Sequence, residues 1–469
     1  MYDTIIIGAG MSGLAAGIRL AHYNKRVCIL ERHYTIGGLN SFYRLRGRDY
    51  DVGLHAVTNF TPKGAKKGPL ARLLRQLRFR WEDFSLAPQI GSTIAFPDAR
   101  LRFTNDMAYL TSQVAEVFPA KVDNFRKLTS MIVDYDDLDE ENFALSARDI
   151  VEETIDEPLL SEMIFCPLMW YGNAREHDMD WGQFCIMFRS IFMEGFARPL
   201  AGVRLILKQM VRRFRELGGE LKLRHGVDRF QMEDGRVQSV VLDDGTELAG
   251  RHVLSSAGWY ETMRMCDSNQ GDAPDKTQDN GPGRMSFVES ISVLDRQPRE
   301  IGHQDTIVFF NDSDTFHWQR CEALCDLRTG VICSPNNFLY GDSDEDQPHL
   351  ADGVMRVTAI ANYDRWMELD EQQYALEKHR WYDRITDAAV RVVPDYRRHV
   401  IDTDTVTPKT IRRFTWHDNG AVYGAPDKRL DGTTHLENLF ICGTDQGYVG
   451  IVGSIMSGIA MANKHLLGD

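Results

Sequence analysis

Three glycines near the start of the chain have the spacing of a phosphate-binding turn. Gly8, Gly10 and Gly13 form a G-x-G-x-x-G pattern directly after the apolar run TIII. The first glycine permits a sharp turn, the second lets the backbone approach a pyrophosphate, and the third lets the following helix pack closely on the strand. The N–H groups of Met11 and Ser12 begin that helix, whose positive dipole end suits phosphates. The pattern predicts a bound dinucleotide.

An acidic residue follows at the place where such a site recognises a ribose. The run RVCILE predicts a second buried strand that ends in Glu31, just before Arg32. A carboxylate about 20 residues beyond the glycines can accept hydrogen bonds from the ribose hydroxyls of an adenosine. The strand, the glycine turn, the helix and this second strand together predict a Rossmann-like domain.

Two later segments predict further parts of the same domain. Residues 218–258 alternate between apolar runs and DG turns, which predicts three strands, with Val227 in the middle part and Ala257 near the end. An ordinary β-meander would have the same local shape. The C-terminal stretch NLFICGTDQGYVGIVGSIM predicts an apolar strand, a glycine-rich loop and a final helix.

Taken together, these motifs resemble the phytoene desaturase and carotenoid isomerase branch of the FAD-dependent amine-oxidase superfamily. The stretches GGLNSFYRLRGRDYDVGLHAV at 37–57 and TPKTIRRFTWHDNGAVYGAP at 407–426 look like motifs of that branch. The resemblance implies FAD rather than NAD, because the glycine pair at 37–38 brings a second backbone segment to the pyrophosphate. It also implies that Val227 lies beside the adenine and that the last helix points at the flavin.

The resemblance assigns FAD contacts to all three segments. In the family, a glycine of the C-terminal loop is directly followed by Asp or Glu, whereas here Thr444 separates Gly443 from Asp445. The residues predicted to bind FAD are Gly8, Gly10, Met11, Ser12, Gly13, Glu31, Arg32, Gly37, Gly38, Leu39, Asn40, Ser41, Val227, Ala257, Gly443, Asp445, Gly450, Ile451 and Val452.

The resemblance also implies an α/β architecture in two parts. A Rossmann-like FAD-binding domain is expected from residues 1–60, 200–260 and 430–469. Residues 61–199 and 261–429 are expected to form a discontinuous substrate domain, built from an antiparallel sheet plus helices.

Enzymes of this branch act on long isoprenoids or carotenoids. The resemblance therefore implies an FAD-dependent desaturase, saturase or isomerase that transfers hydride to or from flavin N5 and takes an apolar polyene or lipid as its partner. Two enzymatic alternatives stay open, namely a hydroxysqualene dehydroxylase and an amine oxidase. A third alternative is a non-catalytic prenyl-lipid-binding protein of the GDP-dissociation-inhibitor type, which shares this fold.

Two features bear on the chemistry and the substrate. His55 follows the DVG turn and is a candidate acid or base if it faces the flavin, although an isolated histidine is more often a structural hydrogen-bonding residue. Residues 163–196 are rich in Met, Phe and Trp, and several of these side chains recur at helical spacing. Such a stretch suits either a tunnel for a flexible hydrocarbon or an ordinary core helix.

Charge and composition exclude some classes of function. The net charge of −14 argues against a nucleic-acid partner, because the phosphate backbone would be repelled. The eight cysteines show no CxxC pair or Cys/His spacing, so we expect reduced thiols and no metal site.

One basic segment stands out against the acidic total. Residues 63–80 contain seven Lys or Arg residues and no acid, with leucines recurring on one helix face. This pattern predicts either peripheral contact with an anionic membrane or a surface helix whose arginines pair with acids elsewhere. Because we find no signal-peptide pattern and no apolar run of membrane-spanning length, we expect a cytoplasmic protein that is peripheral at the membrane.

Overall fold

The computed structural model describes residues 1–53, 55–135, 145–266, 281–341 and 350–468. Its architecture is mixed α/β, as the sequence predicts. In chain order the strands are β1 (Tyr2–Ile7), β2 (Val27–Glu31), β3 (Phe42–Leu45), β4 (Arg48–Asp51), β5 (Leu86–Pro88), β6 (Ser92–Ala95), β7 (Arg100–Phe103), β8 (Ala197–Pro199), β9 (Glu220–Leu223), β10 (Val227–Glu233), β11 (Arg236–Leu242), β12 (Glu247–Leu248), β13 (Gly250–Ser255), β14 (Ser286–Leu294), β15 (Ile307–Asn311), β16 (Cys325–Cys333), β17 (Gly353–Ala361), β18 (Val400–Val406) and β19 (Leu439–Ile441).

The helices lie between and on these strands. In chain order they are α1 (Met11–Ala21), α2 (Pro69–Leu77), α3 (Met107–Val117), α4 (Val122–Asp134), α5 (Ala147–Ile155), α6 (Pro158–Gly172), α7 (Trp181–Phe188), α8 (Val203–Glu216), α9 (Trp259–Cys266), α10 (Tyr363–Met367), α11 (Glu371–Ala389), α12 (Pro408–Thr415) and α13 (Gly450–Met461).

A parallel sheet forms the first half of the molecule. Its strand order is β19-β13-β1-β2-β9, and every neighbouring pair is parallel. Helices α1, α2, α8 and α13 cover one face, while the small antiparallel sheet β10-β11-β12 and helix α9 cover the other. Because both faces are covered, the strands are continuously apolar, as the run TIII shows. The five strands come from residues 2–31, 220–255 and 439–441, which lie inside the three segments expected for the FAD-binding domain.

The second half is built on a larger sheet with the strand order β18-β14-β17-β16-β15-β6-β7. Its pairs are antiparallel except for β15 with β6, which run parallel. Residues of α3 to α7 pack with this sheet in one core, and α11 packs against the sheet in another. This sheet supplies the wall that faces the carboxyl ends of the parallel strands.

Helix α2 corrects one sequence-based prediction. Its four leucines, Leu70, Leu73, Leu74 and Leu77, are all buried and pack in the same core as α1 and α13. The apolar face of the segment 63–80 is therefore occupied by the protein itself, and the prediction that it lies in a bilayer is wrong for the leucines. The helix packs with the helices of the parallel sheet, although it lies beyond residue 60, where the first segment of the FAD-binding domain is expected to end. Among the described residues, no helix is long and apolar enough to cross a membrane.

We predict that α2 contributes to folding stability through its leucines and not through its arginines. The Leu73 side chain is fully buried, so Leu73→Ala should lower the free energy of unfolding by about 2–5 kcal/mol. The neighbouring Arg72 is exposed, and Arg72→Ala should change the free energy of unfolding by less than about 0.5 kcal/mol. Chemical denaturation of both variants checks this. If Leu73→Ala and Arg72→Ala both lowered the free energy of unfolding by the same small amount, the result would contradict the packing of the α2 leucines.

Candidate active site

A large cavity lies where the two halves meet. It encloses about 2160 Å³ of empty space, its open mouth included. One side is formed at the carboxyl ends of the parallel strands, where Ile7, Glu31, Ala257 and Gly443 line it. The other side comes from the larger sheet and from α6 and α12. Ligands of open α/β sheets bind at this edge of the strands.

The three glycines of the opening turn differ in what surrounds them. Gly8 has a φ of +94°, and a Cβ there would lie 2.4 Å from Ser256 Oγ. A Cβ on Gly13 would lie 2.1 Å from the carbonyl oxygen of Gly8. A Cβ on Gly10 would meet no atom within 4 Å. Two glycines are thus required by the protein's own packing, whereas Gly10 leaves open a cradle that fits a pyrophosphate.

Two helices begin at this cavity. Met11 and Ser12 open α1, Gly450 and Ile451 open α13, and all four residues line the cavity. Neither helix has an acidic residue in its first turn or a side-chain cap on its first N–H groups. Both positive dipole ends are therefore directed at the same space, which suits phosphates at one place and an electron-rich ring at another.

The predicted ribose-binding carboxylate is held by the backbone. Glu31 Oε2 accepts a hydrogen bond from Ala9 N, and Oε1 accepts one from His33 N, both at 2.8 Å. Burial raises the pKa of Glu31, and these backbone hydrogen bonds oppose that rise. Arg32, beside it, donates to the carbonyl oxygen of Val227 at 2.5 Å. Through Arg32, the segment that carries Glu31 is thus fixed to the strand of Val227, which is predicted to face the adenine. Both lie at one end of the cavity.

Most of the residues predicted to bind FAD line this cavity. Those that do are Gly8, Gly10, Met11, Ser12, Glu31, Arg32, Gly37, Gly38, Leu39, Asn40, Val227, Ala257, Gly443, Gly450 and Ile451. Four others lie outside the lining. Gly13 packs against Gly8, while Ser41, Val452 and Asp445 are buried in the protein.

The position of Asp445 corrects the prediction made for the C-terminal loop. Its Oδ2 accepts a hydrogen bond from Trp259 N at 2.6 Å, and its Oδ1 accepts one from Ala425 N at 2.7 Å. Because residues 444–446 form a short helical turn, Thr444 lines the cavity and the Asp445 side chain is directed into the protein. This carboxylate joins three chain segments and does not face the cofactor space.

Aromatic side chains form part of the wall opposite the nucleotide cradle. The ring of Phe287 lies 5.2 Å from that of Trp170 and 5.8 Å from that of Tyr423, and the Tyr423 hydroxyl donates to the Trp170 carbonyl. Tyr171 also lines the cavity. Such a wall offers broad apolar contact to a ligand beside the cofactor.

The Met- and Phe-rich stretch 163–196 is mostly a core element. Its repeating side chains at Phe184, Met187, Phe188 and Phe192 are buried within the core of the second half. From this stretch only Trp170 and Tyr171 are part of the cavity lining. The helical repeat is therefore part of the core, in agreement with the core-helix alternative, and only this aromatic pair borders the cavity.

A polar cluster lies in the same wall. His55 lines the cavity, and its Nε2 is 2.8 Å from Glu289 Oε1 and 2.9 Å from Thr358 Oγ1. Arg356 donates to both oxygens of Glu289, at 2.9 and 2.5 Å. Burial favours the neutral acid, but the charge of Arg356 and the hydrogen bond from His55 outweigh it and lower the pKa of Glu289 to about 2. The carboxylate is ionised and its charge is balanced.

Sequence reasoning missed both members of this charged pair, although the sequence contains a signal for them. Glu289 is the only charged residue in the apolar strand SFVESISVL, and Arg356 is the only one in GVMRVTAIA. A single charge within an otherwise apolar strand must be paired when the strand is buried. Sequence reasoning also missed Trp416, which lines the cavity with a φ of +63° and stacks its ring 4.9 Å from the Arg32 guanidinium.

We predict that Gly10→Val removes the cofactor without unfolding the protein. The added side chain meets open space in the protein but occupies the place expected for the pyrophosphate. The variant should purify without flavin absorbance and with unchanged circular dichroism. Gly468→Val is the matched control, because its side chain also meets open space, at an exposed residue far from the cavity. Full flavin content in Gly10→Val would contradict the placement.

Comparison with known proteins agrees with this geometry. The family model of flavin-containing amine oxidoreductases matches residues 11–464. Prolycopene isomerase 2 of an Oncidium hybrid cultivar is 22% identical over 512 residues, which cover 99% of this chain and 83% of that protein. All-trans-retinol 13,14-reductase of Danio rerio is 21% identical over 537 residues, covering 99% of this chain and 86% of that protein.

Solved structures show the same fold. An oxidoreductase from Methanosarcina mazei superposes with a TM-score of 0.66 at 15% identity, over 98% of this chain and 100% of that one. The match of the family model extends over nearly the whole chain, including the aromatic wall and the last helix. The protein is therefore an FAD-dependent oxidoreductase that belongs to the flavin-containing amine oxidoreductase family.

Proposed function

We propose that this protein desaturates, saturates or isomerises a long apolar polyene of the isoprenoid or carotenoid type. The observation that carries the proposal is the aromatic wall of Trp170, Phe287 and Tyr423, which lies in the same cavity as the nucleotide cradle. Flat aromatic rings suit the flat, apolar surface of a conjugated chain. The names of the relatives, a prolycopene isomerase and a retinol reductase, support the same class of substrate.

Bound FAD supplies the hydride chemistry, because the flavin accepts or returns a hydride at N5. The chain holds it with Gly10, the first turns of α1 and α13, and the backbone at Gly37 and Gly38. The aromatic wall then orients the polyene beside the ring and excludes water from the reacting carbons.

An amine oxidase is the alternative within the family, and the polar cluster of the cavity wall gives it no support. A carboxylate with an unbalanced negative charge would favour a protonated amine. The carboxylate of Glu289, which lines the cavity, is instead balanced by Arg356 and also hydrogen-bonded by His55. For the non-catalytic lipid-binding alternative, the cradle left open at Gly10 would have no use.

The test is to express the protein in a bacterial host that accumulates acyclic carotenoid precursors. Lipids extracted with and without expression are compared by mass and by absorption spectrum. We expect a polyene that gains or loses pairs of hydrogen atoms, or one whose double-bond geometry changes at constant mass. The Gly10→Val variant is the control, because it should lack flavin and leave the pigments unchanged.

Other outcomes assign the protein to a different substrate class. Unchanged pigments, together with peroxide release from purified protein and small amines, would favour the amine oxidase. Loss of a hydroxyl group from hydroxysqualene, with no effect on carotenoid precursors, would favour the dehydroxylase. Either result would overturn the polyene proposal.

We further propose that the segment 63–80 contacts an anionic membrane by charge alone, which would place the protein at the membrane surface in the cytoplasm. Its leucines are buried, but Lys66, Lys67, Arg72 and Arg75 are exposed. Each cation near an anionic bilayer contributes about 1 kcal/mol, and salt screens the attraction. Contact of this kind would bring an apolar substrate close to the protein without inserting a helix.

This proposal predicts binding that depends on salt. Co-sedimentation with vesicles containing phosphatidylserine should fall as salt is raised, and it should fall for R72E/R75E/R78E at low salt. R380E/R384E/R391E makes the same change of charge at exposed arginines elsewhere and is the control. Equal losses in the two triple variants, or binding that resists salt, would contradict the proposal.

A further inference from the structure

His55 lies in a polar cluster of the cavity wall that offers more hydrogen-bonding groups than a purely structural histidine needs. Residue 55 comes from the loop after β4, Glu289 from β14, and Thr358 and Arg356 from β17. The strands β14 and β17 are paired so that Glu289 lies opposite Thr358, while Arg356 lies diagonally across on the same face. Two neighbouring strands of the large sheet thus present an acid and a hydroxyl to one imidazole, and a cation to the acid.

The hydrogen bonds assign different work to the two ring nitrogens of His55. Nε2 is engaged by Glu289 and Thr358, at 2.8 and 2.9 Å. A carboxylate that accepts a hydrogen bond from one ring nitrogen keeps the proton there, so that Nδ1 is the nitrogen able to take up a proton in the neutral ring. A histidine oriented by a carboxylate in this way is the usual arrangement of a catalytic base.

The Glu289 carboxylate is held in place because it is buried and paired with Arg356. Glu289 is buried, and Arg356 is buried beside it and also donates to the Asp51 carbonyl oxygen at 3.0 Å. Because Arg356 holds Glu289 in its charged form, the carboxylate remains able to accept the hydrogen bond from His55. That hydrogen bond keeps the imidazole in one orientation.

We propose that His55 exchanges the proton of the reaction with the substrate, and that Glu289 and Arg356 are positioning residues that orient and support it. This inference rests on the proposed action on a polyene. In desaturation two C–H bonds of adjacent carbons break and one carbon–carbon π bond forms. One hydrogen leaves as hydride and reduces FAD, and the other leaves as a proton to His55 Nδ1. In saturation both transfers run in reverse.

Two other side chains contact the backbone carbonyl of His55. Arg198 on β8 donates to the His55 carbonyl oxygen at 3.3 Å, and Cys333 on β16 donates to the same oxygen at 3.7 Å. Burial raises the pKa of Cys333 to about 12, so its thiol stays neutral. Arg198 is paired with Asp51 at 2.6 Å. Among the described groups that contact His55, Glu289 is thus the one that bears a negative charge.

The test uses the flavin-loaded protein and the polyene found by lipid extraction, and it follows the rate of flavin absorbance change in a rapid-mixing experiment. H55Q should slow this rate by about 100-fold or more, because general acid–base catalysis contributes about 10²–10⁴. It should also remove one limb of the pH–rate profile. Added imidazole should restore part of the rate in H55A and should leave the rate of the wild type unchanged.

Variants of the positioning residues separate orientation from simple structural damage. E289Q leaves Arg356 buried without its counter-charge, so the double variant E289Q/R356Q is measured with it. Both should retain FAD and slow the reaction by about 10-fold, because the imidazole loses the carboxylate that orients it. H379Q changes an exposed histidine of α11 and is the matched control.

Each result bears on the inference separately from the proposed function. If the wild type converts the polyene and H55Q retains its rate and its pH profile, the role of His55 is overturned while the proposed function stands. The same holds if the polyene changes only its double-bond geometry, since no proton is then exchanged. If no polyene reacts with the wild type, the proposed function itself fails.

Discussion

The cofactor half of this molecule depends on backbone segments that approach each other more closely than any side chain would permit. A Cβ on Gly13 would lie 2.1 Å from the carbonyl oxygen of Gly8, and one on Gly458 would lie 2.0 Å from that of Ser12. The first approach seats α1 on β1, and the second seats α13 on α1. Because both contacts are made without side chains, two helix N-termini converge on one cavity. The nucleotide cradle is a consequence of this packing.

The parts of the site that follow from short local patterns could be predicted from the sequence. The glycine turn, the acid at the end of β2 and the strand–loop–helix at the C-terminus are each specified by neighbouring residues, and the structure has an element at each place. The leucines of α2 could not be assigned in the same way. An amphipathic helix looks alike whether its apolar face meets a bilayer or another helix, and only the tertiary packing against α1 and α13 decides between them.

Asp445 and Glu289 illustrate a second limit of sequence-based prediction. The neighbouring residues do not reveal the environment of an acidic side chain. Asp445 follows a glycine loop as a cofactor ligand would, yet backbone amides of Trp259 and Ala425 take both its oxygens. Glu289 has no motif around it, yet it lies in the cavity wall. In both cases the partners come from distant parts of the chain. Solitary charges in apolar strands are the one local sign that such a partner must exist.

The order of the strands has a consequence for how the protein matures. The parallel sheet takes β1 and β2 from the beginning of the chain, β9 and β13 from its middle, and β19 from near its end. Helix α13, whose first turn borders the cavity, is later still. During synthesis from the N-terminus, the glycine turn is made early. Its site is therefore complete only after most of the polypeptide has been synthesised. A chain that stops short of its last forty residues has no finished chamber in which to retain the coenzyme.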